Sequence, residues 1–139
     1  MNIININDSD FINTPTYKKF IEENPGKGNL MIKASAAKEA IPIPNLDITI
    51  SKIIDNYNVI FYSGKTDSSG MIKKVSLPTP AQNINDLTIP KSTTYEITAI
   101  LKDNNIKQIY TVNMYNNICV VQNINITPNM EERRYNNGY

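Results

Sequence analysis

From residue 29 onward, apolar side chains return at every second position, in short runs that end at clusters of Asn, Asp, Gly and Pro. Period two marks a β-strand with one buried face, because successive side chains point to opposite sides of the pleat. Leu30, Ile32 and Ala34 alternate with Met31, Lys33 and Ser35, and Leu46, Ile48 and Ile50 alternate with Asp47, Thr49 and Ser51. A third strand, Val59 to Lys65, leads through Thr66-Asp67-Ser68-Ser69-Gly70 into a fourth, Met71 to Leu77. In that turn Asp67 can fold its carboxylate onto downstream amides, and Gly70 can take a positive φ without steric cost. Leu77-Pro78-Thr79-Pro80 ends the fourth strand, since proline cannot donate to a ladder. A polar loop over residues 81–92 then carries the chain on. The fifth strand, Thr94 to Leu101, keeps Tyr95, Ile97 and Ala99 in phase, and Lys102-Asp103-Asn104-Asn105 forms a hairpin into a sixth with Tyr110, Val112 and Met114 in phase. Asn116-Asn117 turns into a seventh, where Ile118, Val120, Ile124 and Ile126 share a face. Seven short strands punctuated in this way predict an all-β, seven-stranded Greek-key β-sandwich.

Residues 1–28 follow another rule. Ile3, Ile4 and Ile6 stand among asparagines as one short strand with no hairpin partner, and so form a candidate assembly strand. Thr14 is a good N-cap and Pro15 suits the first helical position. Tyr17, Phe20 and Ile21 then recur on one helical face until Asn24-Pro25-Gly26 stops the helix. One helix this short needs docking to be stable. Tyr17, Phe20 and Ile21 are therefore its candidate docking residues, against the same domain or a neighbour. The organisation expected is an arm and short helix over 1–28, the sandwich over 29–128 and a polar tail over 129–139.

Composition narrows the function. The chain has 139 residues, 40% hydrophobic and 19% charged, enough for one domain with its own core. Val59 to Tyr62 and Ile118 to Val121 fall far short of the roughly 20 apolar residues a bilayer demands, so no membrane insertion is expected. The N-terminus lacks the pattern of a signal peptide, so synthesis for the cytoplasm is expected, with assembly on a spore or cell surface compatible. Net charge is +1, and Lys18-Lys19, Lys73-Lys74 and Arg133-Arg134 are pairs rather than a basic patch, which argues against nucleic acid.

The chain has no histidine and one cysteine, Cys119, so the commonest general base, a zinc site and a Cys–His nucleophile are all missing. Cys119 is expected to pack as a small apolar residue. Gly26-Lys27-Gly28 lacks the rest of a phosphate loop. Asp47, Asp55, Asp67, Glu96 and Asp103 include no local pair suited to acid–base work. The expectation is a protein without catalytic residues, cofactor, metal or small-molecule substrate, whose partner is another protein or a copy of itself. Tyr62, Tyr95, Tyr110 and Tyr115 also suit a sugar- or peptide-binding face, although tyrosine is common in strands for its β-propensity alone.

The order of punctuation matches a family. Gly64-Lys65-Thr66-Asp67-Ser68-Ser69-Gly70 looks like the strand-ending Thr-Asp-x-x-Gly turn of the transthyretin-like, or carboxypeptidase regulatory-like, domain, and Ala40 to Ile48 resembles that family's proline-marked approach to its second strand. Residues 29–128 as a whole resemble this domain, with Thr66, Asp67 and Gly70 as its structural turn. A narrower likeness, carried by Leu30-Met31-Ile32, Thr66 to Gly70, Leu77 to Pro80, Tyr95 and Gln122 to Pro128, is to the non-catalytic module of clostridial spore cortex-lytic enzymes and their small stand-alone relatives. The resemblance implies a structural or protein-interaction module in a spore or envelope setting, or a regulatory partner of a peptidoglycan-lytic enzyme acting in trans. Related collagen-adhesin sandwiches form a Lys–Asn isopeptide crosslink beside a carboxylate. Lys33, Asn123 or Asn125, and Glu96 stand at comparable places, but the phase of Lys33 directs it to solvent.

Overall fold

A computed structural model describes residues 2–82 and 89–127. The described chain is mostly β. Its elements are β1 (Asn2–Asn5), α1 (Ser9–Ile12), α2 (Pro15–Glu23), β2 (Gly26–Ala36), β3 (Ile41–Pro42), β4 (Asp47–Ile54), β5 (Tyr57–Lys65), β6 (Met71–Thr79), β7 (Ser92–Leu101), β8 (Ile106–Tyr115) and β9 (Cys119–Asn125). One sheet runs β1-β5-β4-β7-β8; in the other, β2 pairs with β3, β6 and β9. All pairings are antiparallel except β1 on β5 and β9 on β2. The inner faces share one apolar cluster, as in an all-β sandwich.

Period two explains the core. Leu30, Ile32 and Ala34 of β2 are buried, as are Ile48 and Ile50 of β4 and Tyr95, Ile97 and Ala99 of β7. An irregularity between β4 and β5 resets the phase there. Ile50 pairs with Tyr62 but Ser51 pairs with Ile60, which leaves Phe61 as an extra residue on β5. A bulge of this kind re-aims every side chain beyond it. Lys65 is thereby set opposite Asp47, and its ammonium lies 2.5 Å from the Asp47 carboxylate.

Several expectations are corrected. Each of the seven expected strands is present, as is the short strand expected in the arm (β1), and the unexpected two-residue β3 brings the number to nine among the described residues. The first sandwich strand begins at Gly26 rather than residue 29. Two N-terminal helices form rather than one, because the Asp8 carboxylate accepts hydrogen bonds from the amides of Asp10 (2.8 Å) and Phe11 (3.3 Å) and caps the additional turn α1. Ile118 is exposed rather than inward-facing, since it still belongs to the turn after β8, its amide bonded to the Tyr115 carbonyl at 3.2 Å. Cys119 is also exposed: it lies on the outward phase of β9, a strand paired on one side only among the described residues. Part of the expected 81–92 loop, and the expected tail over 129–139, lie outside the described residues.

Candidate assembly surface

The arm is placed first by its anchors. The Thr14 hydroxyl accepts from the Tyr17 amide at 3.2 Å and Pro15 opens α2, as a capped helix requires. Phe20 is buried, with its ring 5.8 Å from that of Phe61, which lies edge-on to Tyr95 at 5.1 Å. Tyr17 and Ile21 are half-buried against the same cluster. The buried Asn24 ends the helix: its amide nitrogen donates to the Phe20 carbonyl at 2.9 Å and its oxygen accepts from the Thr93 hydroxyl on β7. Tyr17, Phe20 and Ile21 therefore cover the sandwich of their own chain. Phe11, which the helical spacing of Tyr17, Phe20 and Ile21 did not include, is the other anchor. It is 2% exposed, with its ring 5.6 Å from Tyr17 and 5.4 Å from Tyr57.

Beyond Phe11 the attachment thins. β1 lies parallel to β5 with Asn2, Ile3, Ile4 and Asn5 opposite Tyr57, Asn58, Val59 and Ile60. Ile4 and Ile6 pack partly against the core, whereas Ile3 is 72% exposed. The last tie is the Ile6 amide, which donates to the Ile60 carbonyl at 2.9 Å. Nearby, the Thr16 hydroxyl donates to Asp55 at 3.1 Å, beside a shallow depression lined by Asn2, Thr16, Asp55, Asn56 and Tyr57. The arm is a strand added to a sheet edge, a geometry that proteins also use to bind one another.

The Thr66–Gly70 turn joins four segments. The Thr66 hydroxyl is buried, donates to the Ile43 carbonyl at 2.7 Å and accepts from the Leu46 amide at 3.0 Å. The Asp67 carboxylate accepts from the amides of Ser69 (2.9 Å) and Met71 (3.0 Å). Gly70 has φ +77°, and its carbonyl accepts from the Ala34 amide of β2 at 2.7 Å. Thr66, Asp67 and Gly70 thus fasten the start of β6 to β2 and to the loop before β4.

Titrating groups elsewhere are arranged as structure. The Lys65 hydrogen bond, followed by the nearby Lys102 charge, holds the Asp47 carboxyl below its ordinary range against a partial burial cost. Lys52 is shifted down by burial while its ammonium donates to the Thr94 carbonyl at 2.9 Å, 5.8 Å from the Tyr95 ring centroid. Burial pushes the Tyr95 phenol up, and its hydroxyl donates to the Pro78 carbonyl at 2.5 Å. Tyr95 is a core residue, and Tyr62 and Tyr110 also pack on the cluster, so these three do not form an open aromatic face. Lys33 and Asn123 are register partners on β2 and β9, and both are exposed. Glu96 is exposed on β7 in the other sheet, opposite Thr111 and Ser51, so it does not stand between Lys33 and Asn123. Among the described residues no group of three or more potential ligands is gathered for a metal ion, and no helix is long and apolar enough to cross a membrane.

No family model matches the chain, and no curated protein matches it either.

Proposed function

We propose that this chain is a non-catalytic structural or protein-interaction module, of the transthyretin-like Greek-key type, that assembles with copies of itself through its N-terminal arm. The strand order supports the Greek-key reading. β4 pairs with β5 and with β7, while the chain between those two passes through β6 in the opposite sheet. The spore or envelope setting rests on the sequence resemblance.

The observation that carries the assembly reading is the pairing of β1 with β5. A four-residue ladder holds the arm, and Ile3 remains mostly exposed. The arm of a second molecule offers the same backbone groups and side chains in the same register, and exchange of an identical element is a low-cost route to association. The test is light scattering of the full chain and of a chain lacking residues 1–6. The cut stops there because Phe11 belongs to the core. Full-length assembly that becomes monomeric on truncation supports the reading. Assembly that survives truncation points to another surface and overturns it.

A further inference from the structure

We infer that the turn Asn5–Asp8 is a latch that decides whether the arm pairs with β5 of its own chain or with β5 of a second copy; this rests on the assembly reading above. The turn is closed by the Asp8 amide, which donates to the Asn5 carbonyl at 2.9 Å. It is reinforced by the Asn7 amide, which donates to the Asn5 side-chain oxygen at 2.8 Å. Neither Ile6 nor Asn7 has a positive φ, so the backbone follows a type I turn.

The latch lies between two fixed points. On one side Asp8 caps α1 and Phe11 is buried against Tyr17 and Tyr57. On the other, Asn2–Asn5 are held by the β5 ladder and the partly buried Ile4, and Ile6 is tied to the Ile60 carbonyl. All of the fold-back is therefore concentrated at Ile6 and Asn7. Extending those two residues lets positions 2–8 span at most about 25 Å from the α1 cap, long enough to lay β1 along a neighbour.

The ladder itself does not choose between the two arrangements. In both, Asn2, Ile3, Ile4 and Asn5 meet Tyr57, Asn58, Val59 and Ile60, so the pairing free energies cancel. What remains is the turn against the cost of association, with the tethered arm present at an effective concentration on the order of millimolar. Weakening the turn shifts the balance toward exchange without touching either strand.

Asn7→Pro tests this directly. Proline at the third turn position removes the donor to Asn5 and forces Ile6 away from the helical conformation a type I turn requires. The expected result is association at about tenfold lower protein concentration than the unsubstituted chain. Adding Ile4→Asp, which spoils the partly buried face of β1, should return the mass to one chain. Asn5→Ala, which removes only the side-chain acceptor, should shift association in the same direction by less, and it decides the matter if Asn7→Pro does not fold. An Asn7→Pro protein that melts normally, with a mass–concentration curve overlaying that of the unsubstituted chain, overturns the latch. If the unsubstituted chain nevertheless loses its assembly when residues 1–6 are removed, the arm reading stands without the latch. If neither protein shows arm-dependent assembly, both fail.

Discussion

The Thr66 hydroxyl donates to the carbonyl of Ile43 and accepts from the amide of Leu46, bridging both ends of the short loop that enters β4. Thr66→Val keeps the shape and removes both bonds, leaving a buried amide without its side-chain partner. The expected loss is about 1–3 kcal/mol. Thr66→Ser should retain most of it, so the two variants separate the hydroxyl from the methyl in a denaturant titration.

Gly70 and Glu39 should respond to substitution in opposite ways. A Cβ on Gly70 would lie 2.4 Å from the Ala34 carbonyl oxygen, at a φ of +77°. Gly70→Ala should therefore destabilise by more than about 1 kcal/mol. Ala37, Lys38 and Glu39 occupy consecutive left-handed conformations, with φ of 53°, 56° and 74°. Each costs a non-glycine residue roughly 1–2 kcal/mol. Glu39→Gly should raise the melting temperature, and a lowered one would refute the strain.

Phe11 should behave as a core residue although it follows a loosely held arm. Phe11→Ala should cost about 3–5 kcal/mol, whereas removal of residues 1–6 should cost far less. Equal losses on thermal unfolding would contradict the division between anchor and arm.

Tyr95 predicts the alkaline limit of stability. Burial raises its folded-state pKa above the unfolded value, so its contribution is fully present below the unfolded value and is lost as pH rises beyond it. Above a pH of about 10, where the unfolded phenol ionises and the folded one does not, stability should fall steadily as pH rises. Tyr95→Phe should be less stable at neutral pH, having lost the bond to Pro78, yet show a shallower decline in alkali. Parallel pH profiles would rule out Tyr95 as the source.

The strands were legible because alternation is strict where one face is buried: Leu30, Ile32 and Ala34 or Tyr95, Ile97 and Ala99 leave no other reading. The Thr66–Gly70 turn was legible for a local reason, since Asp67 and Gly70 act within their own few residues. Cys119 and Ile118 were misplaced because the run from Ile118 to Val121 is apolar at every position and carries no phase. The acceptor for β1 was hidden because parallel pairing with β5 links residues more than fifty positions apart and leaves no turn between them. Phe11 was missed because its helix is a single turn, too short to show a period.

The parallel pairing of β9 with β2 also bears on how the molecule is made. Asn29 pairs with Cys119 and Ser35 with Asn125, so one of the first sandwich strands to leave the ribosome waits for the last among the described residues. Until β9 arrives, that side of β2 is an open row of amides and carbonyls flanked by Leu30, Ile32 and Ala34. Contacts so distant in sequence slow folding and leave nascent chains prone to aggregate. A chain terminated before β9 should accumulate in the insoluble fraction, although nearly all of its core residues have already been synthesised.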